Sequence, residues 1–73
     1  MKAGGKAIAV VMLKDEYPQI RKNALIVIGW SGLKVTDAPE LVPAILPLLQ
    51  DNDRDVRREA VDALKRLGYE SKF

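Results

Sequence analysis

The chain has 73 residues, of which 48% are apolar and 30% charged; its formal net charge is +2, and it contains neither Cys nor His. This is the composition of one small domain with an aliphatic core, since Tyr17, Trp30, Tyr69 and Phe73 are the only aromatic residues. It excludes disulfides, thiolate chemistry, histidine bases and Cys/His metal ligation, and the small positive surplus does not by itself call for a nucleic-acid partner.

The first element is a helix from about Ala3 to Leu13. Its apolar run, Ala7 to Leu13, lacks a signal-peptide cleavage site, stops at Lys14-Asp15-Glu16 and is too short to cross a membrane, so it reads as a buried helix. Pro18 opens a second helix at the one position where a missing N–H costs nothing. Ile20, Ala24, Val27 and Ile28 give that helix an inner face, and Gly32 ends it. After a link from Leu33 to Asp37, a third helix begins at Asp37 or Ala38. Pro39 lies in its first turn, Glu40 sits near its positive end, and Leu41, Ile45, Leu48 and Leu49 line one side.

Gln50-Asp51-Asn52 forms the next turn, and Asp53 is placed to cap a fourth helix. Val56, Ala60, Ala63, Leu64 and Leu67 carry the apolar spacing of that helix, and Gly68 closes it. Arg58, Asp62 and Arg66 follow one another at four-residue intervals on its outer side, a pattern that suits a solvated face. Residues 69–73 read as a tail. With no membrane-length segment, a cytoplasmic location is the expectation.

A shift of 36 residues superposes the chain on itself. Leu13 falls on Leu49, Asp15 on Asp51, Arg21 on Arg57, Ala24 on Ala60 and Gly32 on Gly68. The single domain, residues 1–73, therefore divides into a helical hairpin at 3–32, a linker at 33–37, a second hairpin at 38–68 and the tail.

The stretch from Leu41 to Gly68 resembles a HEAT repeat. The likeness rests on Pro43 in the first helix, Asp51 eight residues later, Arg57 six beyond that, and the run Val56-Arg-x-x-Ala-x-x-Ala-Leu64. In the first unit Asp15 and Arg21 match, but Ala7 stands where the proline would be. The resemblance spans about residues 3 to 68. It implies an all-α fold, two antiparallel hairpins stacked as a short α-solenoid. It also implies a structural ladder in which Asp15 and Asp51 accept hydrogen bonds that Arg21 and Arg57 donate, with Pro43 as the helix marker. The implied function is a non-catalytic protein-interaction scaffold, self-associating or part of a larger array, with no cofactor, no metal and no membrane contact.

Three clusters invite a sharper reading. Arg54, Arg57 and Arg58, with Arg21 and Lys22 one repeat earlier, could bind phosphate at helix N-termini, which makes nucleic acid the alternative partner. Asp51, Asp53 and Asp55 stand beside them, however, and favour solvated or structural arginines. Asp15, Glu16, Asp51, Asp53 and Asp55 match no calcium loop and suit caps and turns. The third cluster carries more weight. Where the fourth helix has Glu59, Asp62 and Arg66 outside, the second has Asn23, Ile26 and Trp30, leaving almost no polar side from Ala24 to Trp30. Those three residues either pack against the linker or the neighbouring hairpin, or meet another chain. Because two repeats are fewer than the three usually needed, self-association through Trp30 and Ile26 is expected, a closed twofold dimer being the simplest form.

Overall fold

The structure, a computed structural model, describes residues 3–69, with side chains described from Ala7 onward. Helix α1 spans Ala3–Met12, α2 Pro18–Trp30, α3 Leu41–Ile45 and α4 Arg54–Arg66, and a 3-10 segment at Leu46–Gln50 continues α3. Helix α1 packs on α2, the α3/3-10 rod packs on α4, and the most extensive contact joins α2 to α4. The described residues thus form two hairpins stacked in an all-α, short solenoid-like arrangement with no strand. None of the helices is long and apolar enough to cross a membrane.

Local chemistry sets the ends of these elements. Pro18 stands at the start of α2, and Asp53 caps α4, its carboxylate accepting from the Val56 N–H at 3.0 Å. At the far end of α4, the Tyr69 N–H donates to Leu64 O and the Gly68 N–H to Lys65 O, both at 3.0 Å. This six-to-one and five-to-two pairing requires a left-handed residue, which Gly68 supplies at φ 81°. Gly32 takes the same conformation, φ 80°, after α2.

The linker is tied to the second hairpin. The Val35 N–H donates to Leu67 O at 2.9 Å, and Lys34 Nζ donates to Arg66 O at 3.0 Å. A cation and an amide thus cover carbonyls at the negative end of α4. Of the tail at 69–73, Glu70 to Phe73 lie outside the described residues, while Tyr69 packs partly against the core.

Three expectations need correction. The third helix begins at Leu41, not at Asp37 or Ala38, and only five of its residues are α-helical. Leu41 and Val42 donate three residues back, to Ala38 O and Pro39 O, so Ala38–Glu40 is a turn. Pro43 has no N–H to offer Pro39 O, and Pro47 has none for Pro43 O. Two prolines four apart interrupt the same row of i to i−4 bonds, and the chain after Ile45 tightens into the 3-10 form. Second, α1 is not a fully buried helix. Ala9 and Leu13 are buried, but Ile8 is 62% and Val11 70% exposed: among the described residues α1 packs against α2 and α3, and these two side chains lie away from that contact. Third, the inner face of α2 consists of Arg21, Ala24, Leu25 and Ile28. Val27 is 52% exposed and Ile20 half-buried.

The core joins these faces. Leu13, Leu25, Ile28, Leu41, Ile45, Val56, Leu64 and Leu67 are all but completely enclosed. The aliphatic residues that carried the helical spacing in each unit meet here in one cluster.

Candidate functional site

Arg21 holds the two hairpins together at their turns. Its Nη1 donates to Asp15 O at 2.7 Å and Glu16 O at 3.0 Å, closing the turn of its own hairpin. Its Nη2 reaches across to Asp51 Oδ1 at 2.9 Å and Asn52 Oδ1 at 3.3 Å. Nε lies 2.7 Å from Asp51 Oδ2, an ion pair without hydrogen-bond alignment. The two side chains are 11% and 7% exposed. Asp51 Oδ1 accepts a further bond from the Asp53 N–H at 2.9 Å. The hydrogen bond to Asp51 raises the Arg21 pKa above its usual value against the opposing effect of burial. Burial alone would push the Asp51 carboxyl up. The bonds from Arg21 and the Asp53 N–H, with the charges of Arg21 and Arg57, carry it below the ordinary carboxylate range.

Arg57 repeats half of this pattern. Its Nη1 donates to Asp51 O at 2.7 Å, six residues back, as Arg21 does to Asp15 O. Its side chain is exposed, and among the described residues no carboxylate is bonded to it. Asp15 mirrors this on the other hairpin. Its Oδ1 accepts from the Tyr17 N–H at 2.9 Å, and no guanidinium among the described residues is bonded to its carboxylate. Pro43 is exposed on α3 and takes no part in these bonds. It lines an open groove of about 840 Å³ with Val10, Leu13, Ala44 and Pro47, and Arg21 and Asp51 close one end.

The structure places the second group of residues along the seam between α2 and α4. Ile26 and Trp30 open onto a hollow lined also by Arg58, Glu59, Asp62 and Arg66, so the outer strips of the two repeats lie side by side. Trp30 is 72% exposed. The Arg66 guanidinium stands 4.2 Å from its ring centroid, and Arg66 Nε donates to Asp62 Oδ2 at 2.8 Å. Gly29 permits this approach: a Cβ there would come within 3.1 Å of Arg66 Cδ and 3.8 Å of Ala63 Cα. Asn23 lies one turn before Ile26 and accepts from Gln19 Nε2 at 3.2 Å. The expected Arg58–Asp62 pair is absent. Arg58 binds Asp55 at 3.0 Å instead, leaving Asp62 to Arg66.

The charged clusters are occupied in the same way. Asp15, Asp51 and Asp53 accept from backbone N–H groups, Arg21 is enclosed against Asp51, and Arg58 is paired with Asp55. Among the described residues no group of three acidic side chains could hold a metal ion.

Sequence reasoning missed the flank of the first hairpin. The 36-residue shift pairs Val27 with Ala63, Ile8 with Ala44 and Val11 with Pro47. Ala63 is buried beside Gly29 of α2, and Ala44 and Pro47 face α1 across the groove. The first-hairpin equivalents lie open, and the shift itself was the signal that could have found them. In comparisons with known proteins, a family model described as HEAT repeats matches residues 6–73. No curated protein and no solved structure matches the chain.

Proposed function

Because the chain belongs to the HEAT-repeat family, whose members are generally protein-interaction scaffolds, we propose that it is a non-catalytic interaction module that binds another polypeptide along the α2–α4 seam. The observation that carries this reading is Trp30. A tryptophan left largely open, with Arg66 stacked on it and Ile26 one turn away, has the makeup of an interface anchor. Arg66 is held in place by Asp62, so the seam offers an ordered aromatic–guanidinium pair with acidic groups beside it. Beside the seam, we assign Asp15, Arg21, Pro43, Asp51 and Arg57 to structure, place the protein in the cytoplasm, and take self-association as a separate property of the chain. The absence of His and Cys supports the non-catalytic assignment.

Trp30→Glu tests the seam. The substitution is at an exposed position, so circular dichroism and the melting temperature should change little. Proteins retained by the wild-type chain and lost by the variant should then be purified and titrated against both by calorimetry. Equal binding to both chains, or no polypeptide that distinguishes them, rejects the seam as the binding face.

A further inference from the structure

The contact between the two hairpins shows how one such unit receives another, and the outer faces of the stack carry the matching halves of that contact. We propose that a second copy of this chain stacks head to tail, its first hairpin on the second hairpin of the copy before it. The proposal rests on the reading of the chain as self-associating, and it is independent of the Trp30 seam.

Inside the chain, Arg21 of the first hairpin closes its own turn with Nη1 and gives Nη2 and Nε to Asp51 of the next. Arg57 makes the first of these contacts, to Asp51 O, and its guanidinium has no carboxylate among the described residues. Asp15 is the equivalent of Asp51, and among the described residues no guanidinium is bonded to it. Donor and acceptor are thus left over on opposite ends, with complementary charge. The apolar parts follow the same logic. Val10, Leu13 and Leu25 lie on the side of the first hairpin that receives the second. Their equivalents one repeat on are Leu46, Leu49 and Val61, which are half-buried on the outer side of the second hairpin. Ala44, Pro47 and Ala63 are the residues that the second hairpin presents inward, and their equivalents are the exposed Ile8, Val11 and Val27. One face therefore offers Ile8, Val11, Val27 and Asp15, and the other Leu46, Leu49, Val61 and Arg57.

Lys65 occupies the position equivalent to Gly29, so α4 cannot receive a neighbour as closely as α2 receives α4. The contact between copies is accordingly weaker than the internal one, and the association depends on concentration. Because the two faces differ, the contact is heterologous and cannot form a twofold pair.

Exchanging the charges tests the proposal. Wild type, Asp15→Arg, Arg57→Asp and an equimolar mixture of the two variants are compared by sedimentation over a range of concentrations, against a chain mass of 8.1 kDa. The expected result is a wild-type mass that rises with concentration, and two variants that stay monomeric because each opposes like charges across the contact. The mixture should recover association, at least about tenfold tighter than either variant alone. Val27→Glu, at an exposed site, should abolish association without unfolding the chain, and it carries the test if Arg57→Asp melts early. Trp30→Glu should leave the mass unchanged. A wild type that is monomeric throughout overturns self-association while leaving the seam reading intact. Association that persists in the charge variants and in Val27→Glu, or a mixture that fails to recover it, overturns the head-to-tail contact alone.

Discussion

Helices α2 and α4 are the same helix used twice, and their surfaces have opposite fates. Arg21 and Arg57 are equivalent, yet one is enclosed between two turns and the other is exposed. Val27 and Ala63 are equivalent, yet the larger and more apolar side chain is the one in solvent. The outer side of α4 carries Asp62 and Arg66, whereas that of α2 carries Ile26 and Trp30. In a stacked architecture, burial depends on whether a neighbouring unit is present and not on the residue alone. A face without a neighbour can be polar, as in α4, or remain apolar and available for contact, as in α2.

Placing one charge at equivalent positions gives the sharpest contrast. Ala63→Glu forces a long charged side chain into the close contact of α4 with Gly29, where a buried alanine now fits, a cost of several kcal/mol that should leave the chain largely unfolded by circular dichroism. Val27→Glu should stay within about 0.5 kcal/mol of wild type for the monomer, measured in dilute solution.

The two aspartates should separate next. Asp51→Ala removes charge-assisted bonds and leaves Arg21 without its carboxylate, a loss of about 1.5–3 kcal/mol that lowers the melting temperature by several degrees. Asp15→Ala should cost well under half of that, because only the Tyr17 N–H loses a partner. Similar melting temperatures for these two variants would contradict the clasp.

The pH dependence follows from the same pair. The Asp51 carboxyl is held below its usual value in the folded chain, so the unfolded chain takes up the proton first. Its stabilising contribution is complete above the unfolded value near 3.8 and disappears as pH falls through the lower, folded value. Acid unfolding of Asp51→Ala should accordingly be less steep than that of wild type below about pH 4.5, when both are followed by circular dichroism.

The smallest effect expected is at Gly29. Alanine there gains helix propensity of up to about 1 kcal/mol, and the neighbour it meets at 3.1 Å is Arg66 Cδ, a side-chain carbon that can shift when the guanidinium leaves the indole. Gly29→Ala should be neutral or slightly stabilising while moving Arg66 off the indole, visible as a changed Trp30 emission. Unchanged emission would show that the glycine does not govern the stacking.

The repeat, the turn at Asp51, the Asp53 cap and the two closing glycines were all legible in the sequence, because each depends on residues within one hairpin. The resemblance named Asp15, Arg21, Asp51 and Arg57 together; Arg21 and Asp51 pair at 2.7 Å, whereas Asp15 and Arg57 have no such partner among the described residues. The shortened third helix was legible in principle, since Pro43 and Pro47 are four apart, but the apolar spacing of Leu41, Ile45, Leu48 and Leu49 masked the missing donors. The exposure of Ile8, Val11 and Val27 was not visible in their own helices, where they resemble core residues. It required knowing which side of each hairpin faces the other. Arg66 over Trp30 was hidden for a related reason: the residues are 36 apart and meet only after α4 packs on α2.

The bonds from Lys34 and Val35 to the end of α4 have a dynamic consequence. A five-residue connection between two hairpins would ordinarily be the first segment to open and the natural target of a protease. Here the Val35 amide and the Lys34 ammonium are both bound to a helix terminus 32 residues away, so linker and terminus must open as one cooperative unit. Hydrogen exchange at the Val35 amide should follow that of the last turn of α4 rather than that of α2. A protease acting on the linker would then have to wait for the far end of the protein to fray.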